Sequence, residues 1–441
     1  MEFLKKRLSG NYVGLIKYAK NTTWLLTEKF FRIINSVVLG ILIARYLGPD
    51  EFGIFNYAQS LVGLFIAIAG FGLDEIVIRE LLKKVIKSSK IMGSAFVMKL
   101  GGALIMLGSL SAFLIYSQKT PYEIGIVLII ASSALIRSFN VIDFFFQSTI
   151  AGKHIAKANI LGLVLASLLK IVFLIFSAPL IAFAYLIPLE SLAAISLMII
   201  FYSKYGDIKN WQVDWRTIRK LLSYSWPLLL SGIFSTVNMK IDQIMLKEMV
   251  SSSAVGVYAA AARISEGWFF IPVILAASLF PAILKAKASS YDLYYSRLQA
   301  LYSLMLWMSV IVGLFFTFFG ADIVILLLGA SYQESGEILV VHIWSGVNVA
   351  IGIVWTKWII TEGKQRITIY VQFLAAILNV GSNLFLIPRF GSFGAALSTM
   401  LSYFISSFVS FFLFKPMTTF SLIIKAFNPL SIFKYSQTSN S

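Results

Sequence analysis

Long apolar runs separated by short polar turns repeat along this chain, and each run has the roughly 20 residues that an α-helix needs to cross a bilayer. They predict twelve spans. The first six are Thr23–Leu47, Phe52–Leu73, Ile91–Tyr116, Tyr122–Gln147, Ala156–Phe176 and Leu180–Tyr202. The second six are Leu221–Lys247, Ala254–Ala282, Leu298–Gly320, Gly336–Thr361, Ile367–Ile387 and Phe393–Phe414. The stretch from Thr23 to Glu80, two apolar helices joined by the polar turn Gly48-Pro49-Asp50-Glu51-Phe52-Gly53, leaves its imprint twice. At an offset of 203 residues Asn35 falls on Asn238, Gly53 on Gly256, Ile54 on Val257, Phe55 on Tyr258 and Ala58 on Ala261. A second match pairs Gly152-Lys153 with Gly363-Lys364 at an offset of 211. Both offsets pair turns expected on one membrane side, which predicts parallel repeats related by an axis along the membrane normal, with an aqueous cleft between them.

The expected fold is therefore an all-α integral membrane protein of about 12 transmembrane helices in two pseudo-symmetric six-helix bundles, residues 22–203 and 221–415. A basic linker, 204–220, joins them; an N-terminal segment, 1–21, and a tail, 416–441, flank them. Composition agrees, since 59% of the 441 residues are hydrophobic and 13% charged, far from the balance of a soluble domain. The segment Met1 to Asn21 carries Lys5, Lys6, Arg7, Lys17 and Lys20 without an unbroken apolar core, so it reads as an amphipathic surface segment rather than a cleaved signal. Apolar Phe420, Ile423, Ile424 and Phe427 beside Lys425 and Lys434 predict an interfacial tail helix that frays through Ser436 to Ser441.

A net charge of +17 would point to nucleic acid in a soluble protein, but here it is a topology signal. With the N-terminus in the cytoplasm, about 25 Lys and Arg fall inside against about four outside, namely Arg45, Lys119, Lys247 and Arg389. Both termini are then cytoplasmic, and no nucleic-acid partner is expected. The linker's Lys204, Lys209, Arg216, Arg219 and Lys220, interleaved with Trp211 and Trp215, place it at an anionic lipid surface.

Charge inside a span costs about 2.5–3.5 kcal/mol per residue, so charges kept there require partners, water or substrate. The spans hold Lys29, Arg32, Lys99, Arg137, Lys170, Lys240, Arg263 and Lys357 against Glu28, Asp143, Glu190, Asp242 and Glu266, an excess of positive charge. Helical spacing puts Glu28, Lys29, Arg32, Asn35 and Ser36 on one stripe, Arg137, Asn140, Asp143 and Gln147 on a second, and Ser231, Ser235, Asn238 and Asp242 on a third. Lys29 and Lys99 lie near span ends and are expected to snorkel to the interface. Glu28 with Arg32, Asp143 with Arg137 and Arg263 with Glu266 are the ion pairs this spacing suggests. The candidate substrate-binding residues are Arg32, Asn35, Arg137, Asn140, Asn238, Lys240, Arg263 and Lys357, cations and amides suited to an anionic, hydroxyl-rich substrate. The candidate ion-coupling residues are Glu28, Asp143, Asp242 and Glu266.

Enzymatic readings find no support, and neither catalytic residues, a metal site nor a cofactor is expected. His154 and His342 are the only histidines and fall in different halves, cysteine is absent, and no Gly-Lys-Ser/Thr phosphate loop occurs. A membrane-embedded polysaccharide polymerase would be expected to carry a sizeable external loop, and the external loops here are short.

Two stretches carry a resemblance. Lys20-Asn21-Thr22-Thr23-Trp24, Val38-Leu39-Gly40 and the run Ala44-Arg45-Tyr46-Leu47-Gly48-Pro49-Asp50-Glu51-Phe52-Gly53 resemble the opening of polysaccharide transporters, the flippases of lipid-linked O-antigen repeat units. Asn383-Leu384-Phe385-Leu386-Ile387-Pro388-Arg389-Phe390-Gly391 followed by Gly394-Ala395-Ala396 resembles their penultimate loop. The resemblance, to the multidrug/oligosaccharidyl-lipid/polysaccharide exporter superfamily, implies a V-shaped pair of bundles in the bacterial inner membrane working by alternating access and driven by an ion or proton gradient. It implies an undecaprenyl-diphosphate-linked oligosaccharide as substrate, with membrane lipids, a polysaccharide polymerase and a chain-length regulator as partners. The alternative within the superfamily is a multidrug cation exporter, for which an acidic cavity would be expected.

Overall fold

A computed structural model describes residues 2–364, 366–413 and 417–428, without the side chains of 2–20, 406–413 and 417–420. The side-chain pattern expected for the amphipathic segment up to Lys20 and the fraying expected at Ser436 to Ser441 lie outside the described residues. Among those residues the secondary structure is entirely helical. Eight helical segments are long and apolar enough to cross a membrane, and a ninth arises if Ala330–His342 and Ser345–Thr361, bent by 43°, form one span. Two of these segments contain a non-helical glycine that interrupts a long helix, Gly48 (φ 74) in Glu2–Ala69 and Gly391 (φ 55) in Arg366–Leu413. Counting their halves separately, and adding the 35-residue helix Trp215–Met249, gives the twelve expected spans. The breaks have a local cause: Gly48 is followed by Pro49 and Gly391 preceded by Pro388, and only glycine takes a left-handed φ without penalty.

The chain divides into two compact units. The first comprises the residues up to Leu39 together with Leu61–Ile233; the second comprises Gly40–Ser60 together with the described residues from Phe234 onward.

In the first unit, Thr120 caps the helix Pro121–Ile136 in a capping box with Glu123, and Pro121 occupies its first turn. That span does not run straight to Gln147: a 3-10 turn, Arg137–Asn140, separates it from the helix Val141–Ser148. The amphipathic helix Asp74–Lys83 lies between spans, its Ile76, Val77 and Leu81 packed in a core with Ile91, Met92, Val141 and Phe146. Its Glu80, 2% exposed, bonds Lys220 (2.8 Å), Lys83 (2.9 Å) and Arg79 (3.2 Å).

In the second unit the eighth expected span is two helices, Ser252–Glu266 and Phe270–Ser289, broken at Gly267 to Phe269. The two repeat-matched turns meet here. A Cβ on Gly53 would stand 1.8 Å from the Ser252 carbonyl oxygen, and one on Gly256 would stand 1.9 Å from that of Pro49. Since Pro49 and Ser252 are themselves related by the offset of 203, the contact is reciprocal, as a two-fold relation requires. The other sequence match is two residues out of step: the left-handed residue is Ile150 (φ 56) in the first turn and Gly363 (φ 68) in the second. The tail helix Met417–Ala426 buries Leu422, Ile423 and Ala426 against a core with Tyr294, Leu298 and Trp358, while Ile424 and Phe427 are exposed. It is docked on protein through the face bearing Ile423 rather than presenting all its apolar residues to lipid.

Candidate functional site

In the first unit a polar cluster forms around Arg32. Its Nε and Nη2 both lie 2.8 Å from Glu28 Oε1, one helical turn away, and its Nη1 donates to Glu190 Oε1 at 3.0 Å. The helix Leu180–Tyr202 that supplies Glu190 also supplies Ser191, which accepts from Arg137 Nε at 3.3 Å. The Arg137 guanidinium makes no salt bridge among the described residues and stays accessible. Asn35 donates to Ser167, while its own buried Oδ1 has no donor. Asn140 is half-buried at the end of the 3-10 turn.

Three expectations change here. Arg137 and Asp143 do not pair, because the 3-10 turn rotates the chain between them; Asp143 accepts instead from Gln147 at 2.9 Å. Lys99 does not snorkel: its ammonium binds Asp74 at 3.3 Å and sits 4.8 Å from the centre of the Phe144 ring. Arg32 is not a free cation, since two carboxylates already neutralise it.

The second unit contains a cavity of about 510 Å³ lined by Asn238, Glu266, Asn348, Trp355, Lys357 and Gln372, among others. Asn238 lines the cavity but is 4% exposed, and its buried Oδ1 accepts no hydrogen bond among the described residues. Lys357 Nζ lies 5.2 Å from the centre of the Phe280 ring and makes no salt bridge among the described residues. Glu266 stands at the helix end where the chain breaks and is open to the cavity, within the electrostatic influence of Lys240 and Arg263. Arg263 itself points elsewhere. Its Nη2 donates to Asn56 Oδ1 at 3.2 Å and its guanidinium lies 5.2 Å from the Phe52 ring centre, so the expected Arg263–Glu266 ion pair is not made. Arg263 packs against the segment Gly40–Ser60.

Asp242, one helical turn beyond Asn238, is buried in a nest of neutral donors. Its Oδ2 accepts from Thr399 Oγ1 (2.8 Å) and Tyr258 Oη (3.1 Å), and its Oδ1 accepts from Asn383 Nδ2 (2.5 Å). The Asn383 amide also donates to Asn379 Oδ1 at 2.9 Å, leaving its own buried Oδ1 without a donor. Among the described residues no Lys or Arg forms a salt bridge with Asp242. An ionised carboxylate without a counter-charge is costly in such a place. The nest of carboxylate, amide and hydroxyl oxygens can therefore relieve that cost by holding a proton or a small hard cation.

The candidate residues thus fall into three groups. Glu28, Arg32, Arg137 and Asn35 gather in the first unit, with Asp143 electrostatically coupled to Glu28 and Lys99. Asn238, Glu266 and Lys357 share the cavity of the second unit, with Lys240 beside them; Asp242 occupies the buried nest. Selection by charge missed Ser191, Asn379, Thr399, Tyr258 and Trp355, and counted Glu190 without giving it a role. A signal existed for one pair: Asn379 and Asn383 stand at i, i+4 in an apolar run, an expensive arrangement in a membrane helix without a polar purpose.

The comparisons with known proteins agree with this architecture. A putative O-antigen transporter of Shigella flexneri is 23% identical over 406 residues, covering 86% of this chain and 93% of that protein. The capsular polysaccharide biosynthesis protein CapF of Staphylococcus aureus is 20% identical over 220 residues, 49% of this chain and 55% of that protein. Among solved structures, the lipid II flippase MurJ in an inward closed conformation superposes with a TM-score of 0.68 at 14% identity, covering 91% of this chain and 90% of that one. An inward-facing multidrug resistance MATE transporter of the MOP superfamily gives a TM-score of 0.67 at 14% identity, covering 88% and 95%. At these identities the structures establish the fold, a multi-pass helical membrane architecture. The family described as polysaccharide biosynthesis protein matches residues 18–287, more than half of the chain, and the protein belongs to that family.

Proposed function

We propose that this protein is a flippase that moves an undecaprenyl-diphosphate-linked oligosaccharide, an O-antigen repeat unit or a related polysaccharide unit, across the bacterial inner membrane from the cytoplasmic to the outer face. The observation that carries the reading is the second-unit cavity, where the Lys357 cation and the amide side chains of Asn348 and Gln372 line one space. A diphosphate suits Lys357, and the amides of Asn348 and Gln372 suit sugar hydroxyls. The relatives named as O-antigen transporters support the substrate class.

In this reading the bundles 22–203 and 221–415 are the moving halves, joined by the linker 204–220, with both termini in the cytoplasm. Arg137 and Asn35 offer substrate contacts in the first half, as Asn238 and Lys357 do in the second. Asp242 carries the coupling ion, a proton or a small monovalent cation, because a buried carboxylate among neutral oxygens changes its energy steeply when it gains or loses one. The chain is a transporter rather than an enzyme, and a polymerase and a chain-length regulator are the partners that would consume its product.

One observation favours a second reading. Glu266 opens its carboxylate to the same cavity, which suits a multidrug cation exporter. The deciding experiment is deletion of the gene, followed by analysis of surface polysaccharide and of undecaprenyl-linked intermediates. The flippase reading expects polysaccharide to be lost and intermediates to accumulate, with rescue by the wild-type gene and not by Lys357→Ala. Normal polysaccharide together with new sensitivity to cationic dyes would replace it by the exporter reading.

A further inference from the structure

At the lysine-rich end of the first unit, the turn after the helix Asp74–Lys83 and the linker entering the helix Trp215–Met249 enclose a second cavity, of about 440 Å³. Lys87, Lys90, Arg216 and Lys220 line it, with Asp214 as the single carboxylate in the wall. Two of these charges are already committed. Lys220 is bound to the buried Glu80 at 2.8 Å. Asp214 caps its own helix, accepting from the Thr217 hydroxyl (2.6 Å) and amide (3.0 Å), and that hydroxyl bond holds its carboxyl below the usual range. Lys87, Lys90 and Arg216 make no salt bridge among the described residues. Three cations without a salt bridge therefore converge on one space whose single carboxylate, Asp214, offsets only part of their charge.

The walls are fixed independently of those charges. Gln212 donates its backbone N–H to the Ser89 carbonyl at 3.1 Å, and the Asp214 amide donates to Ser94 Oγ at 3.1 Å. The linker lies so close to the helix Ser88–Tyr116 that a Cβ on Gly93 would stand 2.5–2.8 Å from the Gln212 backbone. Val85, in the wall, is 78% exposed, and Leu82, Val213 and Trp215, near the lining residues in sequence, are 58%, 51% and 77% exposed. Cations beside exposed apolar side chains are the complement of a lipid headgroup whose chains remain in the bilayer.

We propose that this cavity binds the phosphate of an anionic membrane lipid, held by Lys87, Lys90 and Arg216 between the two cross-braced segments. The inference is independent of the transported substrate. A soluble phosphate compound offers the same anion without the chains, and the test separates the two sources.

Full-length protein stripped in a neutral detergent is titrated with phosphatidylglycerol, phosphatidylcholine or inorganic pyrophosphate, and binding is read by native mass spectrometry. Wild type is expected to retain one phosphatidylglycerol in preference to phosphatidylcholine. The variant K87Q/K90Q/R216Q is expected to bind that lipid about a hundredfold more weakly at low salt, at an unchanged melting temperature. Gly93→Ala, which removes no charge but displaces the linker, is expected to weaken it as well. Equal phosphatidylglycerol affinity in wild type and the triple variant would overturn the proposal, and because none of the three positions is buried that arm stays readable if Gly93→Ala fails to fold. Charge-dependent binding of pyrophosphate without binding of phosphatidylglycerol would overturn the lipid assignment in favour of a soluble ligand.

Discussion

Arg32 and Arg137 carry the same charge and have opposite circumstances. Arg32 is saturated by Glu28 and Glu190, whereas the accessible Arg137 is held by a single serine. Arg32→Ala is therefore expected to act on the fold: it leaves two carboxylates near one another, and because the guanidinium is 43% exposed the destabilisation should be modest, about 1–2 kcal/mol, read as a lower melting temperature in detergent. Arg137→Ala should leave the melting temperature near wild type and abolish surface polysaccharide in a complementation assay, with Arg137→Lys retaining part of it. Asp242→Asn separates charge from shape. The amide is close to isosteric with the carboxylate, so the protein should still insert and melt normally, but transport into vesicles should no longer respond to an imposed proton or sodium gradient. A response equal to wild type would remove Asp242 from the coupling path.

At the scale of elements, the helix Asp74–Lys83 is a brace. Its Glu80 is buried against three cations from two segments, and Glu80→Gln should cost about 2 kcal/mol in thermal stability because hydrogen bonds to charged partners are the stronger kind. Span number and position were legible because twenty-residue apolar runs leave few alternatives in a bilayer. The chemistry inside the spans was legible only in part. Arg32 and Glu28 stand at i, i+4 on one helix and pair as that spacing suggests. The stripe through Arg137 and Asp143 failed because a 3-10 turn changes the angle per residue at the position that mattered. Asp242 was visible as a buried charge, but Tyr258 reaches it from the helix Ser252–Glu266 and Asn383 and Thr399 from either side of the Gly391 break, and no periodicity along one helix reveals such a meeting.

For the whole molecule, the proposed orientation can be checked without reference to function, since the chain has no cysteine. Single cysteines at Glu51, Lys119 and Gln333 are expected to react with an impermeant thiol reagent from outside intact cells, and those at Lys87, Lys209 and Lys364 only after lysis. All six positions are exposed or half-exposed, so lack of reaction reports on sidedness rather than burial. The contact between the two repeat-matched turns constrains both of their glycines. Gly53 receives the carbonyl of Ser252 and Gly256 that of Pro49, so each turn offers the other the same notch and the same protrusion. Neither glycine can drift alone, because a methyl group on either strikes a backbone atom that no change in its partner can withdraw.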